Sequence, residues 1–351
     1  MSEPSLQRDP LINVGTHART WAVDTLVSSF LDHAGHDNDD DEGGGVQVIS
    51  LGAGTDTRYW RLKRQCQREE ASRTTAAGSK KKRTWRCRRW LEVDYPESTA
   101  GKAMSVTRSR LLRDQLVASG RDGDGDQEVK VDMGGTRLVA HDYALVPGDL
   151  NVLFPESSSD DDDCDGSSWW RTLSDQGLVD LSVPTLLLAE CLFVYLSPAR
   201  VRHILRSFAN TFRHGHTSVV AYDPFHLDDS FGKVMVRNLS VRAPHPAKRF
   251  LYRSSLVWWW QSRGLTFADP LGTPTLGSLL ARLTTAGFAA AGAQAWTMRE
   301  IKDRVVPCEE RLRVARVARL DEVEELDLLL EHYALVTASL DPSLVLSFAA
   351  S

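Results

Sequence analysis

The sequence predicts an α/β fold in which a mostly parallel sheet carries helices on both faces. Three observations predict it. Short apolar runs alternate with segments of helical periodicity, the βαβα order that builds such a sheet. The first run, residues 46–51, breaks into Gly52-Ala53-Gly54, a turn that can join a strand to a helix beneath a ligand. Several runs then end at or near a carboxylate, where doubly wound sheets bind their ligands. With 351 residues the chain is long enough to bury a substantial core, and its pattern predicts one domain over 1–351.

The elements follow in order. Apolar residues at 22, 23, 26, 27, 30 and 31 share one face of a helix in "TWAVDTLVSSFLDHA". "VQVISL" (46–51), "WLEVD" (90–94), "TLLLAE" (185–190) and "SVVAYD" (218–223) are the continuous apolar runs of buried parallel strands. "TRLVAHD" (136–142) is a weaker strand candidate. Ser197 and Pro198 open a helix as N-cap and first helical residue of "SPARVRHILRSFANTF". "DDSFGKVMVRNLS" and "TLGSLLARLTTAGF" read as helices and "AAAGAQAWTM" as extended. "DEVEELDLLLEHYALVTAS" reads as a closing helix and strand. Between these elements lie three expected loop insertions: acidic at 35–45, basic at 66–89, and Ser/Asp-rich at 154–168.

Composition excludes several classes of function. A net charge of -5 gives no global attraction to nucleic acid or to an acidic membrane. The five cysteines (66, 87, 164, 191, 308) form no CxxC pair and no cluster with histidine. No metal site and no disulfide framework are therefore expected, and a reducing, cytoplasmic compartment is. The start "MSEPSLQRDP" has no apolar signal core, and no apolar run approaches 18 residues. His17, His203 and His226 share no motif and read as surface or packing residues rather than bases.

The strand ends carry the candidate chemistry. Gly52 and Gly54 let backbone approach a ligand, and a helix starting near Thr55 to Thr57 would offer free N–H groups. The motif is G-x-G-x-x-T, without the third glycine of the dinucleotide fingerprint. Asp94 ends "WLEVD", where a carboxylate accepts hydrogen bonds from both hydroxyls of a ribose. Asp149-Leu150, an acceptor beside an apolar side chain, suits an adenine pocket or a plain surface turn. Glu190 closes an otherwise apolar strand, is costly to bury unpaired, and so faces the crevice. Tyr195 follows on the same rim.

"VISLGAGTDTRYWRL", "WLEVDYPE", "PGDLN", "PTLLLAECLFVYLSPAR" and "YDPFHLDDSFGKVMVRNL" occur in the order of the leucine carboxyl methyltransferases, and nearly the whole chain outside the insertions resembles that family. The resemblance implies a class I S-adenosylmethionine-dependent, Rossmann-like fold with a mostly parallel seven-stranded sheet. It implies S-adenosyl-L-methionine as cofactor and, as substrate and partner, the C-terminal tail of the protein phosphatase 2A catalytic subunit. A monomer without nucleic-acid or membrane partners goes with it. By position, Arg19 of "HART" pairs with the methionine carboxylate, Gly52 and Gly54 lie against the cofactor, and Asp94 binds the ribose. Asp149 and Leu150 frame the adenine, and Glu190 sits near the amino end. Arg19 and Tyr195 are the candidates for positioning the substrate carboxylate. Two departures stand out: Val14 replaces the arginine of the family's "INRG", and no lysine precedes Lys63. Family members carry a further N-terminal segment with a lysine that contacts the cofactor. A wybutosine-type tRNA methyltransferase relative and a non-catalytic binding homologue remain the alternatives.

Overall fold

The structure, a computed structural model, describes residues 10–33, 45–73, 85–116, 129–156, 167–213, 216–240, 267–269, 272–318, 320–321 and 323–348. Its strands are β1 Val46–Leu51, β2 Cys87–Asp94, β3 Lys130–Asp132, β4 Arg137–Val139, β5 Tyr143–Pro147, β6 Thr185–Glu190, β7 Ser218–Pro224, β8 Gln294–Thr297 and β9 Tyr333–Ser339. They form one sheet in the order β3-β4-β5-β2-β1-β6-β7-β9-β8. β5, β2, β1, β6 and β7 pair parallel, while β9 runs antiparallel to both β7 and β8. From β5 to β8 only β9 is therefore reversed.

The sheet has nine strands where seven were expected. The two additions lie at the β5 edge, where β3 and β4 pair antiparallel. "TRLVAHD" is not one strand. It divides into β4 and a bend at which the Ala140 N–H donates to Tyr143 O at 2.8 Å. The bend turns Asp142 inward, where it accepts from Tyr59 Oη (2.5 Å), Lys63 Nζ (2.7 Å) and Trp85 Nε1 (2.9 Å). β5 follows and is buried over four of its five residues. Three-residue edge strands carry too little periodicity to be read from sequence.

The helices are α1 Pro10–His33, α2 Arg58–Arg73, α3 Pro96–Arg108, α4 Arg110–Arg113, α5 Leu150–Leu153, α6 Ser167–Asp175, α7 Pro198–Thr211, α8 Ser230–Ser240, α9 Leu276–Thr284, α10 Met298–Glu300, α11 Cys308–Ala318 and α12 Val323–Glu331. None of the described helices is long and apolar enough to cross a membrane. Successive strand residues alternate between two cores, as a sheet covered on both faces requires. Leu186 and Leu188 of β6 join Val23, Leu26 and Phe30 of α1, Tyr59 of α2 and Val106 of α3. Leu187 and Ala189 join Trp170 of α6, Ile204 and Phe208 of α7, and Leu279 of α9. Each buried Leu, Ile or Phe contributes about 1.5–3 kcal/mol. Of the expected insertions, Cys66–Arg73 continue α2 and Cys87–Arg89 open β2, whereas 35–44, 74–84 and 157–166 lie outside the described residues.

Candidate active site

β1 lies between β2 and β6, so the order of the chain reverses on either side of it. The crevice at such a switch point, beyond the strand C-termini, is where an α/β sheet binds ligands. The turn after β1 has left-handed backbone at Gly52 (φ 65°) and Gly54 (φ 49°). A Cβ at Gly52 would also stand 3.0 Å from Leu192 Cδ1. The Gly52 N–H donates to Val93 O at 2.8 Å, drawing the turn over the end of β2. Asp94, buried at that end, accepts from the Gly54 N–H through Oδ2 and from the Tyr95 N–H through Oδ1, both at 2.7 Å. A carboxylate has about four lone-pair sites, so two backbone bonds hold it without exhausting its acceptor capacity.

Next to it, the Gly148 N–H donates to Asp94 O at 2.8 Å. Asp149 caps the single turn of α5, accepting from the Asn151 N–H at 2.8 Å and from Asn151 Nδ2 at 3.0 Å. Leu150 is buried beside it. Arg200 Nη1 braces this corner by donating to Asn151 Oδ1 at 2.9 Å.

On the other side of β1, Glu190 does face the crevice, but it is not unpaired. Arg58 Nη1 lies 2.6 Å from its Oε1, and Arg19 Nε lies 3.4 Å from its Oε2. Arg58 is 2% exposed and also pairs with Asp24 (2.7 Å) and Asp56. Sequence reasoning missed it. The signal was present, because a carboxylate at the end of an apolar strand needs a cation, and "TDTRYW" supplies one. Burial works against the charge of both guanidiniums, but Glu190 and the neighbouring acceptors outweigh it and keep both protonated. Arg19 projects from α1 over the Tyr222 ring, 5.5 Å from its centroid. Among the described residues, its fully covered Nε makes no hydrogen bond beyond the ion pair with Glu190.

Tyr195 does not join this group directly. It sits in the 3₁₀ turn Phe193–Tyr195 and packs on Phe267 with centroids 5.4 Å apart. Cys191 is the neighbour it shares with Arg19. Cys191 adopts φ 51°, and burial pushes its thiol up to about 12, so it stays protonated. Burial, then Cys191, Tyr333 and Asp223, raises Tyr195 well above the ordinary phenol range, leaving a neutral O–H donor. Asp223, near the end of β7, pairs with Arg282 Nη2 at 3.5 Å, and both line a cavity of about 240 Å³. Phe193, Leu196, Val201 and Leu227 also line that cavity. Of the histidines set aside, His17 pairs with Glu310 at 2.7 Å and His203 Nδ1 lies 3.2 Å from Pro155 O.

The strand ends in the order β5, β2, β1, β6 thus present Asp149 and Leu150, then Asp94, then Gly52 and Gly54, then Glu190 with Arg19 and Arg58. Neighbouring strands are about 4.8 Å apart, so the row spans the length of a nucleoside joined to an amino acid.

The chain is similar to proteins of one family. A family model, "Leucine carboxyl methyltransferase", matches residues 2–69. "Leucine carboxyl methyltransferase 1" of Cryptococcus neoformans var. neoformans serotype D (strain JEC21) is 36% identical over 332 residues, covering 94% of this chain and 78% of that protein. The "Leucine carboxyl methyltransferase 1 homolog" of Arabidopsis thaliana is 28% identical over 334 residues, covering 95% of this chain and 78% of that protein. Among solved structures, a putative methyltransferase from Thermobifida fusca overlaps with a TM-score of 0.43 at 11% identity, covering 93% of this chain and 82% of that one. The strand order, rather than that overlap, carries the fold. With more than a third of its residues shared with the Cryptococcus protein over nearly its whole length, the chain belongs to the leucine carboxyl methyltransferase family.

Proposed function

We propose that the protein methylates the C-terminal leucine carboxylate of the protein phosphatase 2A catalytic subunit, with S-adenosyl-L-methionine as cofactor. The observation that carries this reading is the row of groups along β5, β2, β1 and β6. The residues fit the cofactor. Acceptors stand where an exocyclic amine and two ribose hydroxyls would donate, and the turn beside Asp94 has no side chain at Gly52, where a Cβ would meet Leu192.

When bound, S-adenosylmethionine supplies a methyl group on a positively charged sulfur. Asp94 and Asp149 act as acceptors and Leu150 as an apolar wall. The left-handed turn at Gly52 and Gly54 brings backbone close, and Glu190 takes the amino end while Arg19 takes a carboxylate. A leucine carboxylate, with an ordinary pKa of about 3.5, is ionised at neutral pH. No general base is then required, and the Cys191 thiol and the Tyr195 and Tyr222 phenols stay protonated. What the chain contributes is placement and exclusion of water. The charged Arg19 can hold the nucleophile without taking its charge away. The same reading makes the enzyme a cytoplasmic monomer.

The test is incubation of the protein with methyl-labelled S-adenosylmethionine and the phosphatase subunit, intact or lacking its terminal leucine. Label is expected on the intact subunit alone. Equal labelling of both, or of neither, overturns the proposal.

A further inference from the structure

Beyond the crevice, two side chains of one turn meet a third from more than a hundred residues away. His226 lies two residues past β7, Asp229 opens the turn into α8, and His332 joins α12 to β9. One ligand-capable atom from each lies within 4.8 Å of the others. The imidazole planes of His226 and His332 are 7° from parallel, with centroids 5.6 Å apart.

The hydrogen bonds settle how these atoms face one another. His332 is 2% exposed, and its Nδ1 lies 2.8 Å from Leu328 O. A carbonyl oxygen only accepts, so Nδ1 donates to it and Nε2 faces Asp229 Oδ1, 3.1 Å away. That oxygen also accepts from the Gly232 N–H at 2.6 Å. A proton or a cation between Nε2 and Oδ1 would join the two. A proton on Nε2 would satisfy the pair alone, but it leaves no role for a second imidazole within reach. A metal cation uses all three.

The geometry supports a metal. Zinc bonds of about 2.0–2.1 Å in a tetrahedron place neighbouring ligand atoms about 3.3 Å apart, close to the Asp229–His332 separation. Both of these ligands are already held by hydrogen bonds from behind, as metal ligands ordinarily are. The third is held by its backbone. His226 adopts φ 55°, rare for a non-glycine residue, and its N–H donates to Thr273 O at 3.2 Å. The turn that carries Asp229 packs so tightly that a Cβ at Gly232 would stand 2.5 Å from Leu227 Cα. Asp228 Oδ1, 4.0 Å from His226 Nε2, is the remaining carboxylate at hand.

We propose that His226, Asp229 and His332 form a zinc-class divalent-cation site, with the fourth position open to solvent or to a further ligand. Such an ion ties the β7–α8 turn to the α12–β9 corner. It thereby braces the wall formed by Tyr222 and Tyr333, whose rings stack 5.2 Å apart beneath Arg19.

The full-length protein, stripped with a chelator, is titrated with zinc chloride by calorimetry, and with cobalt chloride while visible absorption is recorded. One equivalent of zinc per chain is expected, with tetrahedral-type cobalt bands and a higher melting temperature in the presence of metal. His226 is exposed, so His226→Gln should fold. It and Asp229→Asn are expected to bind zinc at least about tenfold more weakly, whereas His203→Gln binds as the parent does. No saturable zinc binding, undiminished binding by His226→Gln, or equal loss in His203→Gln overturns the proposal.

Discussion

Arg58 is one guanidinium shared by three carboxylates, and most of the crevice's electrostatics pass through it. Removing its charge takes a buried cation from all three, although Glu190 keeps Arg19 and Asp24 keeps Arg61. Arg58→Met is therefore expected to destabilise the fold by about 3–5 kcal/mol, the cost of breaking a buried pair from one side, as read from urea unfolding. A loss under 1 kcal/mol would show that water screens the cluster. Asp94 differs, because the Gly54 and Tyr95 N–H groups from which it accepts survive its removal. Asp94→Ala should weaken S-adenosylmethionine binding in calorimetry at least about tenfold and cost about 1–3 kcal/mol of stability through the orphaned donors. Undiminished binding would remove Asp94 from the ribose site. Asp94 was legible in sequence because it ends a strand, whereas the pairing of Arg58 with Asp24 and Glu190 was not, because both lie far from it in the chain.

Among the elements, the turn after β1 and the start of α7 were both legible, for different reasons. The turn needs φ values that glycine alone adopts freely, so its conformation is written in residue type. Gly52→Ala brings a strained φ of 65° and a methyl 3.0 Å from Leu192. A loss of about 1–3 kcal/mol is expected, and a thermal melt identical to the parent's would refute it. Helix α7 starts at Ser197, whose Oγ accepts from the Arg200 N–H at 3.3 Å, with Pro198 as first helical residue. Ser197→Ala should lower stability by about 1 kcal/mol without altering cofactor affinity, measured as a shift in urea midpoint. β4 and β5 were misdivided because their boundary is set by Asp142, whose partners Tyr59, Lys63 and Trp85 all lie far upstream.

Over the whole molecule, pH tests the buried pair that lines the second cavity. Burial pushes the Asp223 carboxyl up to about 6, with Arg282 opposing the shift. The unfolded value is about 3.9, so the folded state holds the proton more tightly. Asp223 thus favours the fold below about pH 4, and that contribution is lost as pH rises to about 6, some 3 kcal/mol in all. Asp223→Asn should flatten this part of the stability curve, recorded as urea midpoints from pH 4 to 7 against the parent. Parallel curves for the two proteins would mean that the carboxylate stays charged throughout.

The sequence by itself determined the alternation of strands and helices, the glycine turn, and the carboxylates that end β2 and β6. Each of these rests on local chemistry: periodicity, allowed φ, and the cost of a charge after an apolar run. Only the tertiary structure decided which cation meets which carboxylate, where the short edge strands β3 and β4 lie, and that Tyr195 packs on Phe267 instead of joining Arg19. The meeting of His226 with His332 belongs to the same class. Their contact exists because β7 and β9 are neighbours in the sheet, and strand pairing over a hundred residues leaves no trace in local pattern.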